Sequence, residues 1–237
     1  MPYYGFYDWT YFLVLIGAVI SMIASSKVKS TYAKYGQVRS HSGMTATDAA
    51  RRILDNAGLR HVRIERIAGD LTDHYSPKEL VLRLSDTTIN STSIAAIGVA
   101  AHECGHAIQH AIGYLPLKIR SAIVPVTNLG AKLSMPLIML GILFSYASKY
   151  FIWVAYAGVA CFGLCALFQL VTLPTEYNAS RRAIRSLESC MRLSDDEIGG
   201  SKKVLNAAAL TYVAALTVTV MQLLRLLIRV KRNDRTD

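Results

Sequence analysis

The segment Val99-Ala100-Ala101-His102-Glu103-Cys104-Gly105-His106-Ala107 decides how this chain is read. It lies in an almost charge-free stretch from Ile94 to about Ile112, and Ser91-Thr92-Ser93 before it supplies the hydroxyls of a helix N-cap. On a helix, positions i and i+4 are offset by about 40° and one turn, so His102 and His106 share a face and can converge on one tetrahedral Zn²⁺. Glu103 is rotated off that pair. Its carboxylate then stands beside the water that the metal polarises, where it accepts a proton as the water attacks a carbonyl and passes it to the departing amine. The chain has six histidines, and at this composition an HExxH spacing arises by chance roughly 0.004 times. Ionisable groups inside so apolar a helix require partners, because an unpaired polar group there costs roughly 2–7 kcal/mol.

A third ligand is needed to fix the metal. The HExxHxxGxxH pattern does not supply it, because Gln109 stands at its glycine position and Ile112 at its last histidine. His110 lies about 12 Å along the axis from His102, too far to meet it on an unbroken helix, and is expected to play a supporting role. Glu176 is the candidate. It ends a long uncharged stretch and begins Glu176-Tyr177-Asn178-Ala179-Ser180-Arg181-Arg182-Ala183-Ile184, which reads as a helix. A hairpin of two spans would return it to the membrane face that carries His102 and His106.

Further out, composition sets the setting. The chain is 52% hydrophobic and only 18% charged, with a formal charge of +10, a pairing that points to a small membrane protein. The basic residues fall in loops and at span ends with no aromatic-interleaved basic motif, so no nucleic-acid partner is expected. Four cysteines without a CxxC pair make neither a disulfide scaffold nor a zinc ribbon.

From Trp9 to Ser26 the chain is uncharged, and as a helix this run measures about 27 Å, enough to cross the hydrocarbon core. A signal peptide is the competing reading, but it wants a positive n-region and no Lys or Arg precedes this run, so a span is expected. Lys27, Lys29, Lys34 and Arg39 follow it, which places the next segment in the cytoplasm. A second apolar block, Val124 to Leu173, divides near Ser145–Lys149 into a hairpin. The span Tyr150–Thr175 is uncharged. Its partner, roughly Val126 to Tyr146, contains Lys132, which must sit near the interface or in a protein-lined cavity. The last uncharged run is Val204 to Leu224. If it crosses, Arg225, Arg229, Lys231, Arg232 and Arg235 are stranded outside, so either this helix does not cross or the two larger basic loops set the topology. Small residues every four positions, at Ala157, Cys161 and Cys165 and at Ala207, Thr211 and Ala215, suit close helix packing. Cys104 reads as a packing residue and Cys190 as a loop residue.

Between the spans, Thr45-Ala46-Thr47-Asp48 predicts a capping box before Ala49–Ala57, with Gly58 as the stop. His61–Ile67 and Glu79–Leu84 alternate as strands do, and Gly69–Pro77 reads as a loop. The expected fold is a mainly α integral membrane protein, with helical spans and a small α+β zincin-like catalytic region. Its expected divisions are 1–26 (first span), 27–114 (water-facing region with the HExxH helix), 115–173 (hairpin), 174–203 (ligand-Glu helix and loop) and 204–237 (last span and basic tail).

At Leu71-Thr72-Asp73-His74-Tyr75-Ser76-Pro77, Val99–Ala107, Pro174–Ala183 and Val204–Val213, the chain resembles the YugP-like family of neutral zinc metallopeptidases. More distantly it is similar to HtpX-type and CAAX prenyl membrane proteases. The resemblance implies a gluzincin with one catalytic zinc on two His and one Glu. It also implies an edge strand above the active-site helix that takes substrate backbone by strand addition, for which Leu80–Leu84 is the candidate. Where HtpX-type enzymes carry Asp four residues after the ligand Glu, this chain has Ser180, and Asn178 stands where many YugP-like members have Asp. Either change removes a carboxylate that would orient the histidines. Candidate oxyanion or substrate donors are His74, Tyr75, Tyr177, Arg181 and Arg182.

The expectation is a membrane-bound zinc endopeptidase, multi-pass in the cell membrane, with its site on the cytoplasmic side. Membrane-associated proteins or peptides are the expected substrates. The alternative is a non-catalytic membrane adaptor in which zinc ties helices together.

Overall fold

The computed structural model describes residues 8–191 and 193–234. In chain order they form α1 (Tyr11–Gly36), α2 (Ala46–Asn56), β1 (Arg63–Ile67), β2 (His74–Ser76), β3 (Val81–Ser85), α3 (Ile94–Ala111), α4 (Leu115–Ser145), α5 (Ile152–Cys190) and α6 (Asp195–Asp234). A short 3₁₀ turn, Lys149–Phe151, precedes α5. The chain is thus a mainly α membrane protein with one small sheet. Helices α1, α4, α5 and α6 are each long and apolar enough to cross a membrane. At 1.5 Å per residue α5 and α6 reach about 60 Å, twice the hydrocarbon thickness. Only their uncharged stretches, Tyr150–Thr175 and Val204–Leu224, are read as spanning. The remainder of each helix is free to build structure outside the lipid.

The chain divides into two compact units. One comprises residues 1–23, 120–171 and 212–237 and holds the apolar helix lengths. Its small core is Ile138, Ile152, Ala155, Val159, Leu226 and Val230, while Leu129, Met139, Leu143, Trp153 and Leu170 are exposed, as lipid-facing side chains are. Trp9, Tyr11, Tyr146, Tyr150 and Trp153, all exposed, gather where α1 and α5 begin and α4 ends, an aromatic girdle of the kind found at headgroup level. The C-terminal end of α6 belongs to the same end. Tyr156 donates to Asp234, Asn233 donates to Ser145, and the Arg225 guanidinium lies 4.1 Å over the Tyr11 ring.

Helices α4 and α5 touch through glycines. A Cβ on Gly141 would meet Ala155 N at 2.3 Å, and one on Gly158 would meet Ser134 O at 2.7 Å. The close approaches therefore fall on Gly158, one residue along from the expected Ala157, which is exposed, and on the expected Cys161, whose carbonyl a Cβ on Gly130 would meet at 3.0 Å. The reason is that the facing residue of α5 is set by the crossing geometry, which sequence spacing does not fix. Lys132 is exposed, which removes the protein-lined cavity and leaves snorkelling as the way its ammonium reaches water.

The other unit comprises residues 24–119 and 172–211 and contains the sheet and α3. Its core joins Ala46, Ala49, Ile53 and Leu54 of α2, Leu82 and Leu84 of β3, Ile97, Ala100 and Cys104 of α3, and Ala183 and Leu187 of α5. The capping box forms: Thr45 accepts from Asp48 N and donates its own N–H back to the Asp48 carboxylate, both at 3.1 Å. Gly58 then takes the left-handed conformation that ends the helix, φ +75°.

The sheet corrects two expectations. Its order is β1-β3-β2, with β3 parallel to β1 and antiparallel to β2. The strand at Leu80–Leu84 is therefore internal and cannot accept a substrate as an edge strand. Its residues Val81, Leu82 and Leu84 are all buried, which is why it takes the centre. The supposed loop Gly69–Pro77 contains β2, which is an edge. Three polar residues, His74-Tyr75-Ser76, carry no alternation long enough to announce a strand. Cys190 is the last residue of α5, where it accepts from the Asn56 amide.

Candidate metal centre

Helix α3 brings the site together because it is almost wholly enclosed. Ser93 caps it, accepting from Ala96 N at 3.2 Å, and Ile94 to Ala101 are buried apart from Val99. His102 and His106 leave this apolar rod on one side, with ring centroids 4.8 Å apart and ring planes near perpendicular. Helix α5 continues through Pro174, and its stretch from Thr175 to Ala183 runs past that side. The helices approach as far as backbones permit: a Cβ on Gly105 would stand 2.5 Å from Ala179 O. Gly105 is thus the position in HExxH that admits the neighbouring helix.

The contact seats Glu176 between the two imidazoles. Its Oε2 lies 3.2 Å from His102 Nε2 and 3.5 Å from His106 Nε2, and the residue is 2% exposed. One ligand atom from each of the three residues falls within 4.8 Å of the others. Ligands at about 2.0–2.1 Å around a tetrahedral Zn²⁺ stand roughly 3.3 Å from one another, so these separations fit a zinc ion. The donor set fits as well, since two imidazole nitrogens and a carboxylate oxygen are what zinc takes.

Behind the ligands the far ring nitrogens are also held. His102 Nδ1 lies 3.1 Å from Ser180 Oγ, and His106 Nδ1 lies 3.0 Å from Gln109 Oε1. Gln109 is fully buried, and its amide donates to Thr175 O at 2.8 Å and Asn178 Oδ1 at 3.0 Å. Asn178 Oδ1 accepts in turn from Arg182 Nε at 2.8 Å. Each Nδ1–H can donate to its oxygen, so that with zinc bound both Nε2 lone pairs would be free for the metal, whereas without it an Nε2–H donates to Glu176. Ser180 and Gln109 thus stand in hydrogen-bond contact with the outward nitrogens, where an orienting carboxylate was expected to be missing. Sequence reasoning passed over Gln109 as a mismatch, yet it stands three residues after His106, the spacing at which helical side chains meet. Ser180 stands four after Glu176, again one turn.

The electrostatics follow from burial and proximity. Burial opposes charge on Glu176, but hydrogen bonds from His102 and His106 and their positive charge hold its carboxyl well below the usual range. Burial also works to lower the His106 pKa, and the Glu176 hydrogen bond and the charges of Glu103 and Glu176 carry it above the ordinary value. Burial pushes the Glu103 carboxyl up, against the pull of the two histidines. It pushes the Cys104 thiol up too, which leaves that side chain a packing group with its Sγ 3.6 Å from Ala50 O.

Glu103 stays outside the three-ligand cluster, and its Oε2 accepts from the Tyr75 backbone N–H at 3.1 Å. This bond ties β2 to the motif. The Tyr75 hydroxyl lies 3.0 Å from His110 Nδ1, which gives His110 its supporting role. Of the other donor candidates, His74 Nδ1 bonds the Thr72 carbonyl, Arg182 bonds Asn178, and Tyr177 and Arg181 are exposed.

Among known proteins, residues 10–231 match the model of the family described as "Putative neutral zinc metallopeptidase". The chain is 42% identical over 214 residues to "Putative membrane protease YugP" of Bacillus subtilis (strain 168), which covers 90% of this chain and 93% of that protein. No solved structure matches it.

Proposed function

The chain belongs to this zinc metallopeptidase family, and on that premise we propose that it is a membrane-bound, zinc-dependent endopeptidase of the gluzincin type. The observation that carries the reading is Glu176 Oε2 set at 3.2 and 3.5 Å from the inward nitrogens of His102 and His106, with both outward nitrogens occupied. A zinc ion held there supplies Lewis-acid polarisation of the scissile carbonyl and activation of water at neutral pH.

The chain's own residues do the rest. His102, His106 and Glu176 would hold the metal with a neutral imidazole pair and one carboxylate. Ser180 and Gln109 keep the rings turned inward. Glu103 accepts the proton of the attacking water on its carboxylate and delivers it to the amine that leaves. The Tyr75 N–H fixes one of its oxygens, so the other is the one that faces the reaction. Strand β2 has β3 on one side only, and its open edge is the place where an extended substrate adds as a further strand. Substrates are membrane-associated proteins or peptides, met on the cytoplasmic face of the cell membrane. The adaptor reading is disfavoured by ligand number: structural zinc sites close with four protein ligands, and the cluster among the described residues has three.

The test uses the full chain purified in detergent, with metal analysis and a casein cleavage assay. Glu103→Gln should retain one zinc per chain and lose about 10²–10⁴-fold in cleavage rate. Undiminished cleavage by that variant sinks the mechanism.

A further inference from the structure

A cavity of about 440 Å³ opens between α1 and α6, well away in sequence from the HExxH helix. It is lined by Lys27, Ser30, Thr31, Lys34 and Tyr35 on α1 and by Lys203, Asn206, Ala207 and Leu210 on α6. The spacing is helical on both sides: Lys27, Thr31 and Lys34 follow one face of α1, and Lys203, Asn206 and Leu210 one face of α6. Tyr35 packs against Gly200, where an added Cβ would stand 2.9 Å from its ring, and this holds the helices at the cavity's outer end.

Three features define what would occupy it. The lining presents three ammonium groups, three hydroxyls and one amide, and no carboxylate. None of the three lysines makes an ion pair with the described residues, unlike Arg51, Arg66 and Arg83 elsewhere in the same unit. The cavity also sits where apolar sequence gives way to polar on both helices, after Ser26 on α1 and before Val204 on α6. Towards the spans the lining adds Ala207 and Leu210 of α6 beside Lys27 of α1, with Leu210 46% exposed. A concave basic site with an apolar exit at the span boundary matches an amphiphile whose head carries phosphate. Free phosphate would use the lysines but leave the apolar end bare.

We propose that this cavity binds the phosphate-bearing headgroup of an anionic phospholipid, with Lys27, Lys34 and Lys203 on the phosphate and Leu210 against the start of an acyl chain. Scattered basic residues at span ends attract anionic lipid diffusely, whereas a cavity holds one molecule in one place. That difference is what the experiment reads.

The full chain, purified in detergent, is titrated with phosphatidylglycerol and followed by native mass spectrometry. One lipid should bind saturably. Lys27→Gln/Lys34→Gln/Lys203→Gln should weaken it on the order of a hundredfold, about fivefold per lysine. The charge-matched Lys29→Gln/Lys78→Gln/Lys202→Gln, all exposed positions outside the cavity, should leave it unchanged. Equal weakening by both triples overturns the site in favour of diffuse charge. Phosphatidylcholine binding as tightly, or inorganic phosphate competing at the concentration at which the lipid binds, overturns the anionic-lipid assignment. Should the first triple not fold, Asn206→Glu places one carboxylate in the cavity, and lipid binding unaffected by it overturns the proposal.

Discussion

Ser180 Oγ stands 3.1 Å from His102 Nδ1, one helical turn beyond Glu176 on the same helix. On the proposed reading, a single turn of α5 would therefore supply both a zinc ligand and the group that orients another. Because Ser180 and Glu176 share a rod, the imidazole is gripped from both ends by one rigid element, and movement of α5 shifts both contacts together.

Ser180→Ala removes the acceptor for His102 Nδ1–H and frees the ring to rotate. Zinc affinity should fall by about 10–100-fold, measured by competition with a chelator of known affinity. Ser180→Asp, which offers a stronger acceptor, should bind at least as tightly as the parent. Unaltered affinity in Ser180→Ala would show that the hydroxyl does not orient the ligand.

Gly105→Ala tests the backbone contact that lets α5 reach the site. The new methyl would meet the Ala179 carbonyl at 2.5 Å, and backbone cannot give way as a side-chain tip can. The expected cost is about 1–3 kcal/mol of stability, with loss of zinc retention as Glu176 is pushed from the histidines. Gly199→Ala is the comparison, since a Cβ there meets nothing within 4 Å and should be neutral or stabilising. Equal melting temperatures for the two variants would contradict the argument.

Glu197 gives the pH dependence. It is buried at the start of α6, ahead of the spanning stretch, and accepts from His41 N at 2.8 Å and Ser194 N at 2.7 Å. Burial works to raise its pKa, but the Ser194 and His41 backbone donors outweigh it and bring it down to about 2, from 4.5. A folded-state pKa below the unfolded one contributes stability that is complete above about 4.5 and is lost as pH falls towards 2. The contribution is roughly 1–3 kcal/mol. Thermal melts between pH 6 and 2 should show Glu197→Gln less stable than the parent at pH 6, and the difference should close by pH 2. A gap that stays constant across that range would rule out this carboxylate as the source.

The helices were legible because their signals are local. Uncharged runs announce spans, Thr45 and Asp48 announce a cap, and HExxH announces two convergent imidazoles. The ordering of the strands was not legible. Which of three short strands is central depends on β1 pairing with β3 across the intervening β2, an order no local pattern encodes, and β2 has three polar residues with no period to read. Gln109 was hidden for a similar reason: its amide reaches Thr175 and Asn178, 66 and 69 residues away.

The amino-acid sequence by itself determined that this chain spans membranes, that one helix presents His102, Glu103 and His106, and that Glu176 follows an uncharged run. Periodicity, charge and capping chemistry act within a few turns, so they can be read without coordinates. Only the tertiary structure decided how the histidines are held, which strand lies open beside Glu103, and that α1 and α6 enclose a basic cavity. Those features depend on how closely helices pass, which is set where Gly105 meets the Ala179 backbone and where Gly200 makes room for the Tyr35 ring.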